Sequence, residues 1–206
     1  MAEEIFEKIN TFLPKYLSPS QSRELFDALS KYPDIGNHYL PPTSLSEDLL
    51  QGDGWAGLEF VEFDTGQRRC VEGLILSNSC DIDVSNFRAS ERRILFAPLI
   101  PLGSYELALR EGGLDGERLQ NVLLDIRRQH ITYIYYLPAG THGPDESIIL
   151  LDDIHSEPLN FFLAGRRSRV FRLNQVAWYV LLIKISIHFS RVNEAVQRFP
   201  LGPTGS

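Results

Sequence analysis

The chain carries only two cysteines in 206 residues, so no disulfide framework underlies its stability. Cys70 and Cys80 fall in a segment that reads as one continuous strand, where ten extended residues hold them about 30 Å apart, far beyond disulfide reach. A reducing compartment fits that usage, and the expected localisation is cytoplasmic. Positive charge is also scarce: 20 Lys and Arg against 27 Asp and Glu leave a net charge of -7. A broad phosphate-binding surface needs a cationic excess, so non-specific nucleic-acid binding is disfavoured. The amino end, Met1-Ala2-Glu3-Glu4, is acidic and shows no charged-then-apolar leader. The most apolar stretch, Val176 to Phe189, is interrupted by Lys184, Ser186 and His188 and falls short of the ~20 residues a bilayer requires, so no membrane partner is expected. Spacings diagnostic of zinc or calcium are missing too. Asp81 with Asp83, and Asp152, Asp153 with His155, are acidic turns that match no ligand pattern, and neither a metal nor a cofactor is expected.

What is present is an ordinary ordered composition, 43% hydrophobic and 23% charged, enough for one sizeable core with an extension. Residues 1–45 read as a helical extension and connector. Ile5, Phe6, Ile9, Phe12 and Leu13 lie at helical spacing, and a second helix starts at Ser18-Pro19 with Leu25, Phe26 and Leu29 on one face. The proline-rich stretch Tyr32 to Thr43 then breaks the pattern. Residues 46–199 form the main domain and residues 200–206 a loose tail.

Within the main domain, Gly57 to Asp64 alternates apolar and polar residues and turns at Asp64-Thr65-Gly66, which predicts a hairpin into the long strand 69–79. Further strands are expected at Ile94 to Ala97, Ile131 to Leu137, Ser147 to Leu151 and Ser168 to Phe171. Leu119, Val122, Leu123 and Ile126 predict a helix over Leu114 to His130 that packs on the sheet. A long helix follows from Asn174 to about Phe199, apolar almost all round near Trp178 to Ile183. The fold class is therefore α+β.

The order of certain short motifs carries a resemblance. Gly52-Asp53, then Gly66 with Arg68 and Arg69, then Leu74-Ile75-Leu76-Ser77-Asn78, then Ala97-Pro98-Leu99, then Ser147 to Asp152 resembles the MazF/PemK growth-inhibitor toxins over roughly residues 52–195. The resemblance implies an SH3-like β-barrel, here with an N-terminal helical hairpin and a long C-terminal helix, from a family that cuts single-stranded RNA. Aligned on Leu76-Ser77-Asn78, Val71 stands where the family has its catalytic arginine and Glu72 where it has proline; Ile100 stands at the threonine. Neither Val nor Ile can stabilise a phosphorane or move a proton. Separately, Ser77-x-x-Cys80-Asp81-Ile82 resembles a segment of uncharacterised prokaryotic and phage-borne proteins.

Three functional expectations follow. The first is a toxin- or defence-associated interaction module without RNase activity, its partner another protein or a second copy. The second is a divergent endoribonuclease using Arg68, Arg69 and Ser77, with RNA as partner. The third is a Cys80-dependent hydrolase with His155 as base. Candidate binding residues are Asn78, Asp81 and Asp83 in the turn after the strand, and Trp55, whose glycine-rich setting suggests a loop aromatic beside Tyr32, Tyr39 and Tyr105.

Overall fold

The computed structural model describes residues 36–42 and 48–190, together with Asp27. The helices expected before residue 35, the extension of the last helix beyond Ser190 and the tail lie outside the described residues. The architecture is α+β. Strands β1 (Asp53–Val61), β2 (Arg68–Ile75), β3 (Arg93–Pro98), β7 (His155–Pro158) and β8 (Ser168–Arg172) form an antiparallel sheet in the order β7-β3-β2-β1-β8. Strands β4 (Ile100–Pro101), β5 (Ile134–Leu137) and β6 (Ser147–Leu150) form a second sheet, order β4-β6-β5. The helices are α1 (Ser79–Ile82), α2 (Leu102–Glu111), α3 (Gly116–Arg127), α4 (Leu159–Ala164) and α5 (Gln175–Phe189).

Alternation along the strands sorts the apolar residues into layers, because successive side chains leave opposite faces. Ile75, Ile94 and Phe96 join Leu58, Ile82 of α1 and Leu159 and Phe162 of α4 on one face of the large sheet. Leu74 and Ala97 point the other way, into a core shared with Tyr135, Leu137 and Ile149 of the small sheet and Ala177, Val180 and Leu181 of α5. The far face of the small sheet presents Ile134, Tyr136 and Ile148 to Leu119, Leu123 and Ile126 of α3, so the face read from the sequence is the packing face.

Two expectations need correction. The segment 69–79 is not one strand: β2 ends at Ile75, Ser77 turns in to hold β3, and Cys80 lies in the short helix α1. Asn78 makes that stop, its side chain accepting the Cys80 N–H at 2.9 Å as a helix N-cap. The sheet is also not a closed barrel. Gly57, at φ +89°, introduces a register shift between Ala56 and Leu58; only Asp53 to Ala56 pair with β8. The bulge bends the second half of β1 away from β8 and against β7. No backbone ladder joins β1 to β7 among the described residues, so the curled sheet keeps an open seam there.

The opposite end of β1 is fastened by charge. Asp53 and Arg172 face each other in register, and Arg172 Nε and Nη2 donate to the two Asp53 oxygens at 2.6 and 2.8 Å. Asp53 is fully buried and Arg172 nearly so. Arg172 Nη2 also donates to the Asp48 carbonyl at 2.5 Å, and the Leu50 N–H donates to Asp53 at 3.1 Å, so the desolvated charges are hydrogen-bonded on several sides. Breaking one partner of such a pair leaves an uncompensated buried charge. Arg172→Met should therefore lower stability by about 3–5 kcal/mol in urea unfolding, with Asp53→Leu added to it recovering part of the loss.

Lys184 of α5 is buried and donates to the carbonyls of Gln129 and Ile131, tying α5 to the link between α3 and β5. Burial lowers its pKa from 10.5 to about 8. The folded chain then binds fewer protons at this site than the unfolded chain between those values, so this contribution to stability rises with pH across that window. The stability of the wild type relative to Lys184→Met should increase from pH about 8 to about 10.5 in chemical denaturation. A flat difference would show that the ammonium is not desolvated.

Candidate functional site

The open seam makes a cavity of about 290 Å³ lined by Glu59, Phe60 and Val61 of β1, Arg68 of β2, Arg93 of β3, Ser156, Glu157 and Pro158 of β7, and Phe161 of α4. Glu157 is its innermost charged group, 3% exposed. One carboxylate oxygen accepts from Arg167 Nη2 at 3.0 Å, and Arg167, itself 5% exposed, stacks 5.5 Å over the rings of both Phe161 and Phe162. The Glu59 backbone N–H also reaches the carboxylate, from β1. Burial pushes the Glu157 carboxyl above the ordinary range, and the Arg167 guanidinium opposes that shift.

The rim is cationic. Arg68 is 74% exposed and lies 3.9 Å from Glu59 and 6.0 Å over the Phe161 ring. Arg93 donates from Nε to Ser156 Oγ at 2.6 Å and from Nη2 to the Ser156 carbonyl at 2.8 Å, which pins its guanidinium to β7. Beside the seam His155 stacks on Phe60 at 3.8 Å, with Nε2 3.0 Å from an Asp153 oxygen. Of the sequence candidates, Arg68 belongs to this site and His155 stands behind its Phe60 wall. Arg69 does not line it: it pairs with Glu62 at 3.2 Å at the hairpin tip, where Thr65 and then Arg69 hold the Glu62 carboxyl below its usual range.

A second cavity, about 470 Å³, collects Cys80, Ser79 and Asp83 with Asp48 and the apolar side chains of Leu49, Leu50, Ile82, Val84, Leu159 and Leu163. Cys80 is exposed there, and none of the described residues lining the cavity is a histidine, so the cysteine–histidine arrangement read from the sequence is not assembled on this wall. Asp83 caps a turn, accepting Ser85 N–H and Oγ–H at 2.8 Å, while Asp81 is exposed on α1. Among the described residues no cluster of three or more His, Cys, Asp or Glu is placed to hold a metal.

Trp55 is not a loop residue. It sits within β1, half-buried, edge-on to Phe162 at 5.2 Å with Arg169 over its ring at 5.8 Å. Tyr39 is core, its hydroxyl donating to the Pro138 carbonyl at 2.6 Å; Tyr32 lies outside the described residues. Arg167 and Arg93 stand in the basic runs Arg166 to Arg172 and Arg88 to Arg93, which read from sequence as solvated charges, and nothing in the sequence singled out Glu157. The available signal was a charged residue inside otherwise short, apolar-flanked strand segments.

No protein-family model matches the chain, and no curated protein matches it. Among the described residues no helix is long and apolar enough to cross a membrane.

Ser77 illustrates how a candidate nucleophile can serve structure instead. Its Oγ accepts the Leu95 N–H at 2.7 Å, and its own N–H donates to the Leu95 carbonyl, continuing the β2–β3 pairing where β2 leaves the sheet. Ser77→Ala would strand a buried donor and should cost about 1–3 kcal/mol in urea unfolding, with the secondary structure by far-UV circular dichroism unchanged.

Proposed function

We propose that the protein is an interaction module of the toxin- or defence-associated kind, built on a growth-inhibitor-like curled sheet, and that it works by binding another protein chain through the shoulder formed by α4. The observation that carries this is the placement of Phe161 and Leu163, 41% and 59% exposed, on a six-residue helix with a cavity on each side. Val84, 66% exposed, lines the same cavity as Leu163, so the apolar surface is continuous across it. A chain with this much acid elsewhere has no solubility need for such a shoulder, and contiguous exposed apolar surface is what interfaces use. The resemblance to the MazF/PemK toxins is carried by sequence motifs, and the open seam is a departure from a closed barrel.

A divergent endoribonuclease is the second reading, and one observation favours it: Arg68 of β2 lies 3.9 Å from Glu59 of the adjoining β1, with Arg93 lining the same cavity, a cation and carboxylate set of the type that RNA cleavage through the 2′-hydroxyl requires. Val71, at the family's arginine position, is half-buried against the β1–α4 core. A Cys80 hydrolase has no comparable assembled base.

Leu163→Asp separates the readings. In the full chain it should abolish self-association, or the retention of a co-purifying protein partner, by sedimentation velocity, and the protein at excess should leave single-stranded RNA intact. A strictly monomeric wild type with no co-purifying protein would contradict the interaction reading. RNA cleavage lost in Arg68→Ala would establish the second.

A further inference from the structure

Helix α5 is apolar on more than the side the core uses. Ala177, Val180 and Leu181 enter the core shared with the small sheet, and Lys184 follows them one turn on, tied to Gln129 and Ile131. At about 100° per residue, Val176, Tyr179 and Ile183 form a row turned away from that core, with Leu182 beside it. Tyr179 is 1% exposed, yet it belongs to none of the three apolar clusters that the described elements build. Val176, Leu182 and Ile183 around it are half-buried. The two sheets therefore do not account for the burial on this side. A helix apolar all round is one enclosed all round, so the row calls for a cover.

The chain supplies one. Thirty-five residues precede Gly36, and the chain is fastened just after they end. The His38 carbonyl accepts the Asn174 N–H at 2.8 Å, the Asn37 carbonyl accepts from the Asn174 side-chain amide, and Tyr39 bridges to Leu173. Asn174 is the N-cap of α5, so the preceding segment is tethered at the Val176 end of the row. In that segment Leu25, Phe26 and Leu29 recur at helical spacing. Asp27, which lies opposite them at the same period, is helical and exposed.

Dimensions allow the match. A helix over Ser18 to Leu29 is about 18 Å long and α5 about 22 Å, and the link between Leu29 and Gly36 spans at most roughly 20 Å. The residues after Ser190 join α5 at its other end, about 16 Å beyond Tyr179. They are the poorer candidate for this row.

We propose that Ser18 to Leu29 docks on α5 of its own chain, antiparallel to it, with Leu25, Phe26 and Leu29 set against Val176, Tyr179 and Ile183. The direction follows from the short link, which brings the Leu29 end to the N-cap end of α5. The docked segment encloses α5 and leaves the α4 shoulder as the apolar surface offered to a partner. The inference stands on α5 and its tether, and does not depend on the interaction reading.

The test uses the full chain with Cys70→Ser and Cys80→Ser, and a nitroxide on Asp27→Cys, a position that faces away from the docked side. Amide signals of nitrogen-15-labelled protein should broaden along Val176 to Ile183. Those of α3, on the far side of the small sheet from α5, should broaden less. An equimolar mixture of nitrogen-15-labelled chain without the nitroxide and unlabelled chain carrying it should show no broadening of α5. Adding Leu25→Asp with Leu29→Asp should remove the broadening, while the amide shifts of β1, β2 and β3 stay unchanged.

An unbroadened α5 in the nitroxide-carrying chain would overturn the proposal. So would broadening that survives both aspartates, or broadening of α5 in the mixed sample, which would show a second copy supplying the segment. The effect of Leu163→Asp on association is read separately, so failure here leaves the interaction reading on its own evidence.

Discussion

The Glu157 carboxylate of β7 takes a hydrogen bond from the Glu59 backbone N–H of β1 and pairs with Arg167, where no backbone ladder joins the two strands, and the candidate site lies at that gap. Strand edges that meet without pairing leave polar backbone to satisfy. Here a charged side chain on β7 is drawn inside and neutralised by Arg167, which is held in turn by two phenylalanine rings of α4. The arrangement fixes α4 beside the gap.

The rest of the frame determines that β1 reaches the seam at all. The Asp53–Arg172 pair clamps the start of β1 to β8, and Gly57 turns the strand toward β7 halfway along. A side chain at Gly57 would come within 2.9 Å of the Arg166 carbonyl, on top of the strain of a positive φ. One strand thus serves two partners in succession. The cores on either face of the sheet, and the α3 layer beyond the small sheet, supply the apolar burial against which this local polarity is maintained.

Much of the framework was legible because it is written in periodicity. The strands at Ile94 to Ala97, Ser147 to Leu151 and Ser168 to Phe171, and the packing face of the helix through Leu119, Leu123 and Ile126, all follow from spacing. The strand β2 was read too long, because the apolar run through Leu76 hides the point where Ser77 and Asn78 divert the chain by side-chain hydrogen bonds. Helix α2 was missed: Pro101 and Gly103 punctuate its start and few of its residues are buried. The seam is not written in periodicity at all. Glu157 and Arg167 are ten residues apart, and Arg68 and Arg93 come from other strands, so only tertiary curvature makes them neighbours. Arg68 was singled out in sequence, yet for a role shared with Arg69 that the hairpin pairing to Glu62 does not support.

The functional reading follows from that curvature. An apolar shoulder and a half-charged gap lie side by side at the same short helix, a combination suited to binding another chain. The decisive measurement is the pattern of cross-strand nuclear Overhauser effects between backbone protons in the full-length protein. The account predicts regular ladders for β1–β2, β2–β3, β3–β7 and β1–β8, and none between residues 59–61 and 156–158, with the Arg167 side chain adjacent to Glu157. A continuous β1–β7 ladder would mean a closed barrel with no seam, and would contradict it.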